Sequence, residues 1–490
     1  MHEAPAPIIA SRGLWLACLA LAIIALPILA DRLALLPLHV ALNPNEGWNA
    51  LHTQAWLAGR ALYLDPAGPV LNNYPPLSFA VVAFLARFTG DLIVAGRILS
   101  MVSLIVVATF SGVIACMMAG AGARAAGWFT GLLFVATFLV GYTDYVAMND
   151  PQLLALALST IGLWTLVRWW GSTQALATAM VLMLLAGLTK HNMIALPIAT
   201  FLAVWLESPR RGVVVAVGGA IMTGLVLALL YLAWGPDSLQ SLLAGRQWKA
   251  LYLAQNILRS MPVLAFPLAT IIVGSGLLSR RGPDRLLLIY AVMALVMALF
   301  TGGGAGVYYN CFFDLAVVSC ILTGVIVYRA MQALGTSYPQ AAFLPLALVL
   351  GLAPLAIKPL LTARWNLQGG DAAALAAVTA DDITRIRNVP GPVACETAAL
   401  CYWAGKGFEL DYFNARQALL TGRSGADNVL SILRAQAFDL IQLQDLKPSV
   451  RLSPDAPGEM AVLDSNYVEV HHSATGLYLV PRRKAVVPSP

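Results

Sequence analysis

Charge is what this sequence has least of. Only 11% of its 490 residues are Asp, Glu, Lys or Arg, where a soluble domain carries roughly a quarter. Lysine is scarcest, and Lys190 is the first in the chain. With 59% hydrophobic residues and a mean hydropathy of +0.76, the chain cannot hide its surface in one soluble core. It is therefore expected to cross a membrane many times. The formal charge of +6 is small and scattered, which excludes a nucleic-acid surface. Missing motifs exclude more. There is no G-x-x-x-x-G-K-[ST] segment, so ATP-driven transport has no support. There is no H-E-x-x-H and no paired C-x-x-C, so a structural zinc is not expected. Cys18, Cys116, Cys311 and Cys320 lie in or beside apolar runs, where cysteine acts as a small hydrophobe. "TGGGAGVYYN" lacks G-x-G-x-x-G spacing and reads as a flexible loop. Internal repeats are not evident, which weakens an inverted-repeat transporter.

What is present is a series of about eleven apolar runs of roughly span length. They are Leu14–Ala30, Ile98–Ala119, Ala125–Val140, Gln152–Leu166, Ala175–Leu188, Met193–Leu206, Val213–Trp234, Met261–Leu278, Leu286–Phe300, Cys311–Val327 and Ala341–Leu361. The first could be taken for a signal peptide breaking after Ala30, but it is nearly long enough to span. With the N-terminus inside, Arg124, Arg168, Arg210, Arg211, Arg280, Arg281, Arg285 and Arg329 fall on the cytoplasmic side, as the positive-inside rule requires. Arg60, Arg246, Lys249 and Arg259 break the rule by facing out.

An odd number of spans places the tail outside. The spacing thus predicts a membrane domain over 1–361 and a small outer α/β domain over 362–490. In the latter, "GPVACETAALCYWAGKGFELDYF" reads as strand, helix, strand. "NVLSILRAQAFDLIQLQ" reads as helix then strand, and "NYVEVHHSATGLYLVPR" as a closing hairpin. Cys395 and Cys401 could bridge there only with Cys395 in the strand. The long first outer loop, 31–97, is not structureless. Trp48, Leu51, Ala55 and Trp56 recur at helical spacing and predict an amphipathic helix in the interface. Leu77–Leu85 is too short to cross and predicts a second interfacial helix.

Glu46, Asn73, Asp144, Asn149, Asp150, Lys190, His191, Asn310 and Asp314 all fall at outer helix ends. Polar groups there are costly unless paired, wet or functional. Each has a plainer reading. Asn43 can cap a helix with Pro44 in its first turn and Glu46 at the third position. Asp150 before Pro151 makes an equally good cap, Asp144 can be merely solvated, and Lys190 can reach to headgroups. His191 can be a simple interfacial histidine, and Asn310 and Asp314 can pair. Their convergence argues for one outward polar cavity. It fits group transfer from a lipid-bound donor, in which a carboxylate takes the acceptor's proton and a cation holds the leaving phosphate. Direct displacement at the sugar carbon would invert its configuration through an oxocarbenium-like state. Nothing resembles a soluble nucleotide-sugar domain, which suits a donor already linked to lipid.

Taken together, "NPNEGWNALHTQAWLAGRALY", "NNYPPLSF", "YVAMNDPQLLALAL", "GLTKHN" and "GVYYNCFFDL" resemble bacterial GT-C glycosyltransferases. The protein-mannosyltransferase-like and aminoarabinose-transferase-like membrane enzymes are the nearer match. The likeness runs from the first span to the outer domain. It implies a polytopic GT-C-like fold, a polyprenyl-phosphate-linked sugar donor, and an envelope acceptor outside the bacterial cytoplasmic membrane. It also implies an acidic general base in the first outer loop, matched by Glu46. Asp150 matches the acid of the second outer loop, with Asp144 the second choice. The residue before Glu46, often acidic in these proteins, is Asn45, and the basic residue that some members place before Pro-Pro is Tyr74. Lys190 is therefore the physical substitute as phosphate ligand, with His191 and Tyr74 beside it. Asn73, Asn149, Tyr309 and Asn310 are expected to contact substrate. Divalent metal use varies across the superfamily and is left open. The other classes are a transporter or flippase, which needs polar groups at mid-bilayer, and a scaffold, for which so many spans are excessive.

Overall fold

Every expected apolar run becomes a helix. The computed structural model describes residues 6–334, 338–423, 425–445 and 458–485. The helical part runs α1 (Ala6–Leu35), α2 (Pro44–Leu57), α3 (Leu77–Thr89), α4 (Leu92–Ala119), α5 (Arg124–Gly141), α6 (Gln152–Arg168) and α7 (Thr173–Thr189). It continues with α8 (Ala195–Glu207), α9 (Pro209–Trp234), α10 (Pro236–Leu242), α11 (Ala250–Gly274), α12 (Gly282–Thr301), α13 (Phe313–Leu334) and α14 (Leu344–Leu367). Among the described residues eight helices are long and apolar enough to cross a membrane, namely α1, α4, α5, α9, α11, α12, α13 and α14. The other three expected spans, α6, α7 and α8, are shorter apolar helices.

Burial tells which of these helices face protein and which face lipid. The span ending in α13 is 94% buried and forms the axis of the bundle, while α9 is only 11% buried. Val214, Leu229 and Leu232 of α9 are exposed, as suits a helix that is apolar all round and bathed in lipid. Close approach inside the bundle relies on small residues. A Cβ at Gly112 or Gly127 would stand 2.6 or 2.8 Å from the opposing carbonyl oxygen, so α4 and α5 meet backbone to backbone.

The helix expected around Trp48 forms as α2, but its setting differs. Asn43 caps it, accepting from the Asn45 amide at 3.0 Å, with Pro44 in the first turn. Its buried face carries Glu46, Asn49, His52 and Thr53 as well as Ala50 and Leu51. It is sandwiched between α4 and the C-terminal domain, and this polar face is what it buries.

That domain comprises α15 (Asp371–Arg387), β1 (Val393–Cys395), α16 (Ala398–Trp403), α17 (Tyr412–Thr421), α18 (Ala426–Arg434), β2 (Leu440–Leu443), α19 (Glu459–Asn466), β3 (Tyr467–Ser473), β4 (Gly476–Pro481) and α20 (Arg482–Ala485). The sheet order is β1-β2-β4-β3, with β1 and β2 parallel and the other pairs antiparallel. The strand, the helix-strand pair and the hairpin read from sequence are there. The second strand expected in "GFELDYF" is not. Asp411 accepts from the Asn414 amide at 3.0 Å and starts α17 instead. Before the domain, α14 runs past Leu361 to Leu367. Cys395 ends β1 and is bridged to Cys401 of α16, with the Cα atoms 5.8 Å apart.

The domain is bolted to the first loop through α16. Tyr402 Oη accepts from the Leu92 amide at 2.8 Å, and Trp403 Nε1 donates to Asp91 at 3.1 Å. A Cβ on Gly47 would stand 1.8 Å from the Ala399 nitrogen. Gly47→Ala is therefore expected to lower unfolding stability by about 1–3 kcal/mol, the usual cost of overpacking. It should also open the 370–400 region to limited proteolysis in detergent. A wild-type melting curve would show that α16 can yield freely.

Candidate active site

Glu46 does not face a cavity. Its carboxylate is wholly buried and takes Arg97 Nε at 2.8 Å and Nη2 at 2.8 Å, the fork-on-fork geometry arginine favours. It also accepts from the Leu42 amide at 2.9 Å and the Asn149 amide at 3.1 Å. Arg97, equally buried, donates to the carbonyls of Leu35, Leu36, Leu38 and Val40. The pair thus laces α4 to the whole turn before α2 and to the peptide ahead of Asp150. Asn149 belongs to the same brace, its side chain donating to the Glu46 carbonyl at 3.2 Å.

The cavity lies beside this brace, at the end of the bundle that carries the C-terminal domain. It holds about 220 Å³. Asn45, Trp48, Asn73, Tyr74 and Asp144 wall it from the helical side, and Glu396, Asp411, Asn414 and Arg416 from the C-terminal domain. Two of its three carboxylates are already engaged at both oxygens. Glu396 takes Arg416 Nη1 and the Gln444 amide. Asp411 takes Trp48 Nε1 at 2.8 Å, and the Asn414 side chain and amide. Burial pushes the Asp411 carboxyl upward, opposed by Asn414, Trp48 and Arg246. Asp144 is exposed and is held through one oxygen, by Tyr309 Oη at 2.8 Å.

Behind Tyr74, at the next residue, Pro75, an apolar groove begins. Asp150 starts α6 by accepting from the Gln152 amide at 2.8 Å. The same carboxylate holds Lys190 Nζ at 3.3 Å and the Asn45 side chain at 3.4 Å. Lys190 also reaches Tyr74 Oη at 3.2 Å. Burial lowers the lysine's pKa, but Asp150 and Tyr74 outweigh it and the net direction is upward. Arg246, between α10 and α11, stacks on Phe413 and forms no ion pair with a carboxylate among the described residues. Next to Lys190, His191 is pushed down to about 4 by burial and then by Lys190 and Arg246. It lines a groove of about 520 Å³ with Pro75 and apolar side chains of α7, α8 and α9. Ile194, Ile198 and Leu227 in its lining are exposed.

The expected residues therefore separate into groups. Asn73, Tyr74 and Asp144 line the cavity. Asp150 and Lys190 form a pair one layer behind it, and His191 belongs to the groove. Glu46 and Asn149 are a brace, so the open general base expected at Glu46 has no free oxygen. Tyr309 acts through Asp144. Asn310 is tied to Gln152 at 3.3 Å and Asp314 to Tyr290 at 2.5 Å, both away from the cavity wall. The glycine-rich loop is braced too, since Gly303 accepts from the Lys249 amide at 2.8 Å and Ala305 donates to the Gln247 carbonyl at 2.7 Å. Arg246 also lines the cavity, and its position on the arginine-poor side is the sequence signal for it. No group of three His, Cys, Asp or Glu suited to a metal occurs among the described residues.

No protein-family profile matches the chain, and no curated protein does. Solved structures do. ArnT from Cupriavidus metallidurans, in the apo state and bound to undecaprenyl phosphate, matches twice, each time at TM-score 0.61 and 14% identity. Each alignment covers 96% of this chain and 99% of the other. At that identity the finding concerns the fold alone, a polytopic helical one with a C-terminal domain that this chain shares with ArnT.

Proposed function

We propose that this chain transfers a sugar from a polyprenyl-phosphate-linked donor to an envelope acceptor at the outer face of the bacterial cytoplasmic membrane. One observation carries the reading. The polar cavity ends at Tyr74 and Arg246, and an exposed apolar groove begins at the neighbouring residues Pro75 and His191, with Lys190 bonded to Tyr74 between the two. A molecule with a long apolar chain, a phosphate and a polar headgroup fits that sequence of surfaces. The ArnT structure bound to undecaprenyl phosphate supports the same assignment. The arginine distribution supports placing the C-terminal domain outside.

In this reading the chain lies along α7–α9, and the phosphate sits between Lys190 and Arg246 with the sugar in the cavity. Asp144, whose second oxygen is open, takes the proton of the acceptor hydroxyl. The acceptor oxygen bonds to the anomeric carbon as the bond to the phosphate oxygen breaks, which inverts the centre. Lys190 and Arg246 stabilise the charge arriving on the phosphate. Asp150 orients Lys190, and Glu46 with Arg97 holds the Asp150 segment in place.

Arg246 offers the cleanest test, because it forms no ion pair among the described residues and Asp411, the carboxylate it faces, keeps its bonds to Trp48 and Asn414. Arg246→Ala should weaken undecaprenyl phosphate binding about tenfold or more, the worth of one charged hydrogen bond, while melting stays unchanged. Unaltered affinity for that lipid would remove the phosphate from this junction.

A further inference from the structure

The cavity's unpaired atoms describe its occupant further. Among the described residues Asn73 Oδ1, Asn414 Oδ1 and the Tyr412 hydroxyl are buried without a hydrogen-bond partner. All three residues line the cavity and are 6%, 2% and 5% exposed. The orientation of Asn414 is fixed. Its amide nitrogen donates to Asp411 at 2.6 Å and to the Leu71 carbonyl at 3.3 Å, so the orphan is the carbonyl oxygen. Buried acceptors without donors are rare because each costs free energy until it is met. What meets an amide oxygen is a hydroxyl or an N–H.

The charges narrow the choice. A sugar ammonium would need an unengaged carboxylate, and Glu396 and Asp411 have both oxygens taken. Asp144 has one oxygen open, and the proposed chemistry uses it. A uronate or sugar phosphate would need a further cation, yet Arg416 already pairs with Glu396 and Glu459, and Arg246 and Lys190 are assigned to the lipid phosphate. At about 220 Å³ the space is below the roughly 300–1,000 Å³ of a drug-sized site, which suits one ring. Resting on the donor reading above, we infer that the donated unit is a single uncharged sugar. Its hydroxyls donate to Asn73 of the first loop and Asn414 of the C-terminal domain, with Tyr412 beside them. The C-terminal domain is then part of sugar recognition as well as a cover.

The test is binding, which needs no acceptor. The full-length protein in detergent is titrated with undecaprenyl phosphate alone and with the same lipid carrying a neutral hexose, a 4-amino-4-deoxypentose or a hexuronic acid. The hexose conjugate should bind about tenfold tighter than the bare lipid, from two to three met hydrogen bonds. The two charged conjugates should bind no tighter than the bare lipid. Asn73→Ala should remove most of the hexose advantage and leave bare-lipid affinity unchanged. Equal or tighter binding of the amino sugar or the uronate overturns the neutral-sugar inference alone. If bare undecaprenyl phosphate does not bind, the donor reading fails and takes this inference with it.

Discussion

Glu46→Gln should cost the protein its fold before it costs any turnover. In the native structure four donors converge on this carboxylate: Arg97 Nε, Arg97 Nη2, and the Leu42 and Asn149 amides. Glutamine offers one carbonyl oxygen in place of two carboxylate oxygens, and its own NH₂ must then confront donors. The Arg97 guanidinium, fully buried, loses its only paired charge among the described residues. Breaking a buried ion pair from one side costs about 3–5 kcal/mol, against a total stability of about 5–15 kcal/mol for a typical domain. The expected result is low yield, a markedly lower melting temperature in detergent, and aggregation on size exclusion. Arg97→Lys should be intermediate, since an ammonium keeps the charge but cannot serve both carboxylate oxygens and four carbonyls at once. The decisive contrast is with a catalytic role. A Glu46→Gln protein that melts like wild type but has lost transfer would return the general base to Glu46 and refute the brace.

The difference between those two readings shows what the sequence could disclose. Span positions were legible because a run such as Leu286–Phe300 has no place to go but a membrane or a core. The first-loop helices were legible for the same reason of periodicity and length. The partner of Glu46 was not. Arg97 is fifty-one positions away along the chain, at the start of a long apolar helix where an arginine reads as a headgroup contact. Only the packing of α4 against the turn before α2 brings the two together. Asp150 and Lys190 were easier to place, since each flanks an apolar run and both fall on one side of the bundle. The wall contributed by Asp411 and Asn414 lay beyond sequence reasoning. "GFELDYF" has strand-like alternation, and Asp411 becomes a helix cap because tertiary contacts with Trp48 and the Pro69 carbonyl hold it there. Arg246 was visible as an exception to the positive-inside rule. Exceptions of that kind are informative because an arginine on the arginine-poor side needs a local reason to be there.

Asp144→Asn should leave the fold and the lipid affinity intact and remove turnover. Asp144 stands in the cavity wall, exposed, with Tyr309 on one oxygen and the other oxygen open. Asparagine keeps the shape and can still accept from Tyr309, so melting should not move. What it cannot do is take a proton. Loss of a general base lowers kcat by about 10²–10⁴, and the loss should fall on kcat with little change in donor KM, because Asp144 holds neither the phosphate nor the chain. Asp150→Asn is the control with the opposite signature. It removes the counter-charge of Lys190 and weakens the start of α6, so it should shift melting and donor affinity together. Both variants are read in membranes that contain the native acceptor, as release of sugar-free lipid phosphate. If Asp144→Asn turns over normally while Asp150→Asn is inactive with wild-type melting and donor affinity, the base is Asp150. The acceptor would then approach from the Asn45 side of the cavity, where that carboxylate is bonded, and not from the Tyr308 side.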